Sequence, residues 1–181
     1  FSLLAVPFFI FAGELMGKGG MSKRLVAWAL SILGGLRGSL PLTTVGTSTV
    51  FGAISGSSAA TVAAVGRLVY PTLRQKGYNE KFATGVVTSS GAIAIVIPPS
   101  IAMILYGVSA EEDIAKLFIA GILPGLFMAL VMGIYIYFYA RVKGIRESEG
   151  FSFRKFAAAT KDGIWALGSP FVILGGIYTG W

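Results

Sequence analysis

The run of mostly apolar residues at 114–140 restricts what this chain can form more than any other feature. As a helix it would be about 40 Å long, whereas the hydrocarbon core of a bilayer is about 30 Å thick. The stretches 38–66 and 82–108 are also long and uncharged or nearly so. Only 13% of all residues are charged, against about 25% in soluble domains. The chain is therefore predicted to be an all-α membrane protein, a polytopic helical bundle.

The distribution of charge predicts an orientation in the membrane. The net charge is +7, but the Lys and Arg residues lie between apolar runs, which is typical of topology signals rather than of a nucleic-acid surface. The loops 67–81 and 141–161 are basic and are expected on the cytoplasmic side, and the acidic turn 109–113 on the outer side. The chain has no Cys and no His, which excludes thiolate nucleophiles, Cys/His zinc sites and His acid–base catalysis.

The pattern divides the chain into successive parts of one membrane domain, 1–181. These parts are the end of a membrane helix at 1–17, an amphipathic interfacial helix at 18–37, a re-entrant hairpin at 40–70, a broken membrane helix at 80–108, a membrane helix at 114–140 and the start of another at 163–181. We interpret the sequence as a fragment that begins and ends within membrane segments. Glu14, beside Lys18, is interpreted as an interfacial residue.

Two interruptions of regular backbone are predicted inside these segments. Ser55-Gly56-Ser57-Ser58 is a poor helix interior and should form the tip between hairpin arms 40–54 and 57–70. Pro98-Pro99 removes backbone donors and should divide the next helix into 80–96 and 100–107. Broken backbone survives in hydrocarbon only where protein or a watery cavity surrounds it. If both interruptions lie at mid-depth, their helix ends can bind an anion and their carbonyls a cation, as in secondary transporters.

Other interpretations of these features stay open. Small and hydroxyl residues at 43–61 also permit close helix packing, and a proline break is often only a kink. A channel would need a continuous polar lining, whereas one polar tip is present. An intramembrane hydrolase would need a base beside its serine, and every Lys is placed in a loop or near an interface. The chain is therefore not expected to be an enzyme.

Several segments carry a resemblance to a known family. They are Pro7-Phe8-Phe9, Phe51-Gly52-Ala53-Ile54-Ser55-Gly56-Ser57-Ser58-Ala59-Ala60-Thr61, Ile97-Pro98-Pro99-Ser100 with Tyr106-Gly107, Ala120-Gly121-Ile122-Leu123-Pro124-Gly125, and Ile173-Leu174-Gly175-Gly176-Ile177. In this order they resemble the large membrane subunit of TRAP transporters (tripartite ATP-independent periplasmic transporters, DctM-like). The serine-glycine tip and the Pro-Pro-Ser segment at this separation are the specific part of the match.

The resemblance implies one inverted repeat of an elevator-type carrier in the inner (cytoplasmic) membrane of a bacterium or archaeon. Such a carrier is driven by a sodium gradient, has no cofactor besides the sodium ion, and works with a small membrane subunit and a periplasmic binding protein. It imports organic anions such as C4-dicarboxylates or sialic acids and binds no nucleic acid. An anion symporter without a binding protein is the alternative. The second repeat is missing, so these 181 residues alone are not expected to transport.

The resemblance also implies the site residues. The sodium ligands would be Ser55, Ser57 and the main-chain oxygens of Ala94, Ile97 and Pro99. The family commonly has glycine at position 94, and Ala94 keeps the same carbonyl. The residues assigned to substrate binding are Gly56, Ser58, Thr61 and Ser100. Some members have an acidic residue where Thr61 stands.

Overall fold

The computed structural model describes residues 4–145 and 152–179, and all regular structure within them is helical. This confirms the all-α prediction. The helices are α1 (Ala5–Lys18), α2 (Met21–Leu33), α3 (Ser39–Ser55), α4 (Ser58–Gln75), α5 (Glu80–Ile93), α6 (Ile101–Ala110), α7 (Ile114–Val142) and α8 (Phe153–Thr179). Parts of the predicted segments 1–17, 141–161 and 163–181 lie outside the described residues.

Helix α3 is the centre of the bundle. It contacts α1, α2, α4, α5, α7 and α8, and most of its residues are buried, among them Phe51 and Ile54. The apolar face of α4, with Val65, Val69 and Leu73, continues the same core. Helix α2 buries Leu25 and Ala29 and packs between α3 and α8. The apolar side of the amphipathic segment 18–37 thus packs mainly against α3 and α8.

A helical hairpin is formed by α3 and α4. Gly56 ends α3 in the left-handed conformation, with φ of 61°, which glycine adopts without steric cost. Ser57 is extended and begins α4, and its side chain accepts a hydrogen bond from Ala60 N. The Ser-Gly-Ser-Ser sequence therefore supplies a C-terminal cap and an N-terminal cap in adjacent positions.

The next helix is divided into α5 and α6. Helix α5 ends at Ile93, ahead of the predicted residue 96, because Ala94 N, Ile95 N and Val96 N bond to carbonyls three residues back, a tightened last turn. The Pro98-Pro99 peptide bond is cis. Ser100 then begins α6, its hydroxyl accepting from Met103 N.

Helices α7 and α8 differ in how they use apolar residues. Within the described residues, α7 is the one helix long and apolar enough to cross a membrane by itself, with a mean hydropathy of 2.4 over its best 18-residue window. Helix α8 begins at Phe153, ahead of the predicted 163. The segment after residue 152 is therefore helix rather than loop, since Phe156 and Ala159 are half-buried while Arg154 and Lys155 stay exposed.

Candidate functional site

The hairpin tip and the helix break lie directly against each other. Ile101 N, the first amide of α6, donates a hydrogen bond of 3.1 Å to the carbonyl oxygen of Gly56. A Cβ added to Gly56 would lie 3.0 Å from the carbonyl oxygen of Pro99. One turn earlier, a Cβ added to Gly52 would lie 2.5 Å from the Cβ of Ala94. The absence of side chains at these two glycines lets the backbones meet.

Three oxygen atoms form a compact group inside the tip. The Ser55 Oγ lies 3.1 Å from the Thr61 Oγ1, which donates to the Ser57 carbonyl oxygen at 2.8 Å. The third side of this triangle, from Ser55 Oγ to Ser57 O, is 3.4 Å. Ser55 and Thr61 are almost completely buried. The arrangement brings two of the predicted ion ligands, Ser55 and Ser57, together with Thr61.

The carbonyl groups at the break have a different environment. Ala94, Ile97 and Pro99 lie between α5 and α6, and all three are buried. Within residues 4–145 and 152–179, their carbonyl oxygens accept no hydrogen bond. A buried carbonyl without a partner is energetically costly. These oxygens are therefore available to a cation that approaches the break.

The residues assigned to substrate binding separate into two groups. Gly56, Thr61 and Ser100 are buried in the contact between tip and break. The Ser100 hydroxyl donates to the Ile95 carbonyl at 2.7 Å and caps α6. Ser58 instead lines an open groove of about 470 Å³ between α4 and α5. The other groove residues are Ala59, Val62, Ala63, Thr88, Ala92 and Ile95.

The segments that form the hairpin tip and the helix break carry no charged side chain. Residues 38–66 and 82–110 contain no Asp, Glu, Lys or Arg. Within the described part of the chain, no three His, Cys, Asp or Glu residues are grouped as a metal centre would require. Glu14 is exposed and pairs with Lys18 at 3.7 Å. Binding at the site would therefore depend on hydroxyl groups, carbonyls and helix ends.

Two features of the site were missed by sequence reasoning. Helix α1 packs on the tip, because a Cβ on Gly13 would lie 3.1 Å from the Cβ of Ser55. Gly91 in α5 lies against α4, where a Cβ would be 3.3 Å from the Ser58 carbonyl oxygen. The glycines are visible in the sequence, but their partners are distant along the chain and become apparent only in three dimensions.

The chain is similar to permease proteins of several bacteria. It is 45% identical over 181 residues to the isethionate TRAP transporter permease protein DctMQ of Oleidesulfovibrio alaskensis, covering 99% of this chain and 28% of that protein. It is 41% identical to the C4-dicarboxylate TRAP transporter large permease protein DctM of Pseudomonas aeruginosa, covering 99% and 42%. With the sialic acid TRAP transporter permease protein SiaT of Haemophilus influenzae the identity is 38%, covering 99% and 29%.

The chain spans less than half the length of these relatives. A family model described as the tripartite ATP-independent periplasmic transporter, DctM component, matches residues 1–181. The match covers the hairpin tip, the helix break and every other segment on which the resemblance rested. Together these findings show a membrane protein of a transport family, and the chain belongs to the DctM family of TRAP transporter permeases.

Proposed function

We propose that the chain is part of a sodium-coupled permease that imports an organic anion delivered by a periplasmic binding protein. The observation that carries this proposal is the contact between the hairpin tip and the helix break. The tip contains a buried cluster of hydroxyl groups, and the break contains buried residues whose carbonyls accept no hydrogen bond within the described residues. The relatives are named as permeases.

The donor atoms favour sodium as the coupling ion. Ser55, Ser57 and the carbonyls of Ala94, Ile97 and Pro99 are neutral oxygen donors, which suit a singly charged hard cation. Proton-coupled carriers instead place an Asp, Glu or His inside the membrane. Residues 19–79 and 81–110 contain none of these three residue types. We therefore assign the five residues as ligands of one sodium ion, with Thr61 holding Ser55 and Ser57 in position.

An anionic substrate would be bound by helix N-termini near the same junction. Helices α4 and α6 both begin there, after Ser57 and Ser100. The first amides of a helix, together with its dipole, attract negative groups. Ser58 opens onto the groove between α4 and α5 and is our preferred substrate contact. Gly56, Thr61 and Ser100 would form the buried wall of the site.

The proposed topology places the hairpin inside the membrane as a re-entrant element. Arg37 precedes α3, Arg74 lies in the last turn of α4 and Arg67 about two turns earlier, so both open ends of the hairpin carry positive charge. Basic segments stay cytoplasmic. Helices α5 and α6 would then run outward to the acidic residues 111–113, and α7 would return to Arg141. This is the arrangement expected for one inverted repeat of an elevator-type carrier.

The partners follow from the proposed assembly. A TRAP system comprises the large permease, a small membrane subunit and a periplasmic binding protein, and we propose the inner membrane as the location. The names of the relatives include isethionate, C4-dicarboxylate, sialic acid and ectoine, each of which carries an acidic group, although ectoine is a zwitterion. We propose a small organic acid as the substrate of this permease.

The proposal is tested by uptake in vesicles that contain the full-length permease, its small subunit and its binding protein. Uptake should stop when sodium is replaced by potassium, and Ser55→Ala should raise the sodium concentration needed for half-maximal rate. Omitting the binding protein should also abolish uptake, whereas unchanged uptake there would favour a symporter that works without one. Equal uptake in sodium and potassium would overturn the proposed coupling.

A further inference from the structure

Two glycines of α7 face the helix break. Gly121 and Gly125 are one turn apart and are buried, on a helix whose other residues at this level are mostly exposed. Leu123 and Phe127, for example, are 78% and 63% exposed. These glycines belong to the segment Ala120–Gly125, which helped to identify the family and to which the proposed function gives no role.

The two glycines touch the start of the break, just after the tightened last turn of α5. A Cβ added to Gly121 would lie 2.5 Å from the carbonyl oxygen of Val96, closer than real Cβ atoms approach an oxygen. A Cβ added to Gly125 would overlap the Cγ1 of Ile97 and lie 3.4 Å from the Ile97 amide nitrogen. The space beside Gly121 also contains the flexible end of the Met103 side chain, but the Val96 oxygen belongs to the backbone and cannot turn away.

The break is therefore enclosed from two sides by glycines. On one side, Gly52 and Gly56 of the hairpin lie against Ala94 and Pro99. On the other side, α7 lies against Val96 and Ile97. The helical hydrogen bonds from preceding carbonyls end at Ile97 N, and Pro98 and Pro99 have no amide hydrogen, so these flanking surfaces must hold the direction of the carbonyls at the break. An ion site works only when its ligands are held within about 0.5 Å of the productive geometry.

We infer that Gly121 and Gly125 are positioning residues for the cation site at the break. They allow α7 to pack directly on the Val96–Ile97 backbone, and this support fixes the orientation of the Ile97 carbonyl, a proposed sodium ligand. The inference rests on the proposed function, since it assigns a role in the sodium site. Neither glycine contacts the ion itself.

The test compares three Gly→Ala variants of the full-length permease: Gly121→Ala, Gly125→Ala and Gly133→Ala. Gly133 is the matched control, because it lies on the same helix and its nearest atom to an added Cβ is Leu42 Cδ2 at 3.7 Å, an ordinary contact. Ala favours helices more than Gly, so loss of helix propensity cannot explain a weakened site. We expect the sodium concentration for half-maximal uptake to rise about tenfold in the first two variants, as for outer-shell changes at metal sites.

A rescue experiment separates a role in the site from general packing. Ile97→Ala removes the side-chain atom that overlaps a Cβ at position 125 but keeps the carbonyl. In the Ile97→Ala background, Gly125→Ala should therefore change the sodium concentration for half-maximal uptake by no more than about twofold, which is the usual deviation between independent mutations. Gly121→Ala should keep its full effect in that background, because its obstacle is the Val96 carbonyl.

Sodium-dependent thermal stabilisation provides the second readout. The increase in Tm on replacing potassium by sodium should shrink in Gly121→Ala and Gly125→Ala and stay unchanged in Gly133→Ala. If the two variants lower Tm equally in both salts and leave half-saturation unaltered, the glycines have only a packing role and the inference is wrong. If Gly125→Ala does not accumulate, the double variant Gly125→Ala/Ile97→Ala is compared with Ile97→Ala alone. A roughly tenfold higher sodium concentration for half-maximal uptake in the double variant would refute the inference. If the wild type itself shows no response to sodium, the proposed function fails instead.

Discussion

Helices α3 and α7 use their residues in opposite ways. Thirteen of the 17 residues of α3 are buried, and six of these are Ser or Thr. Five of the 29 residues of α7 are buried, two of them Gly, while large apolar residues such as Leu123, Phe127 and Leu130 are exposed. In a soluble protein the apolar helix would be inside and the hydroxyl-rich helix at the surface.

The difference between α3 and α7 reflects the surroundings of each helix. Lipid chains are as apolar as leucine, so a membrane protein gains little by burying large apolar side chains and instead packs helices through small and hydroxyl residues. Helix α7 meets its neighbours through a narrow stripe that includes Gly121 and Gly125, and the rest of its surface suits hydrocarbon. Helix α3 is surrounded by protein, where its hydroxyls can bond to carbonyls, as Thr44 does to Leu40.

If the exposed face of α7 were in water, the contrast between α3 and α7 would need another explanation. Leu130 is 61% exposed near the middle of the helix. In hydrocarbon, Leu130→Arg should disfavour membrane insertion by about 3 kcal/mol, whereas at a water-exposed surface the effect should stay within about 0.5 kcal/mol. Insertion efficiency, measured with a glycosylation reporter on the full-length protein, distinguishes these outcomes.

Val142→Arg is the control for this prediction. Val142 is 83% exposed but lies at the end of α7 beside Arg141, where a long cationic side chain reaches the interface. It should have a much smaller effect on insertion. Equal effects of Leu130→Arg and Val142→Arg would show that α7 does not have its middle in hydrocarbon.

The tight end of α3 offers a sharper test with a smaller expected effect. Gly56 and Gly77 both have positive φ, 61° and 86°, but only Gly56 has neighbours within 4 Å of an added Cβ. Each Gly→Ala change should cost about 1–2 kcal/mol of unfolding free energy through the left-handed backbone. Gly56→Ala should cost more, because the Cβ also meets Pro99 O. The difference in Tm between the two variants measures the tip contact, and equal values would contradict it.

The smallest predicted effect concerns the buried hydroxyls. Thr43 is fully buried, and within the described residues its Oγ1 has no hydrogen-bond partner. Thr61 is equally buried but bonds to Ser55 and Ser57. Thr43→Val should therefore raise the free energy of unfolding by about 1 kcal/mol, and Thr61→Val should lower it by about the same amount. Denaturation in mild detergent would show the opposite signs, and a loss in both variants would refute the argument for Thr43.

The interruptions were predictable from sequence because their causes are local. Gly56 and Ser57 form caps from their own conformational preferences, and Pro98-Pro99 removes donors wherever it stands. Ser57 and Thr61 are one helical turn apart, which is the spacing that their hydrogen bond requires. The sequence analysis did not predict this bond. The start of α8 was predicted too late because Arg154 and Lys155 suggested a loop. These charged residues instead lie on the exposed side of a helix that begins at Phe153.

The contacts around the site could not be predicted. The contacts of Gly13 with Ser55, Gly52 with Ala94 and Gly121 with Val96 all join residues that are distant along the chain. A glycine in the sequence indicates that something approaches closely, but not which backbone does so. The meeting of tip and break was therefore a hypothesis until the packing of α3, α5 and α7 was known.

The hydrogen bond from Ile101 N to Gly56 O has a consequence for biogenesis. Helix α6 has ten residues, about 15 Å, and is too short to cross the hydrocarbon alone. Its leading amide finds its acceptor on a hairpin that the ribosome makes earlier. During synthesis α6 is therefore made after the hairpin to which it bonds. In a nascent chain with a malformed hairpin, α6 should lack this acceptor and be accessible to membrane proteases.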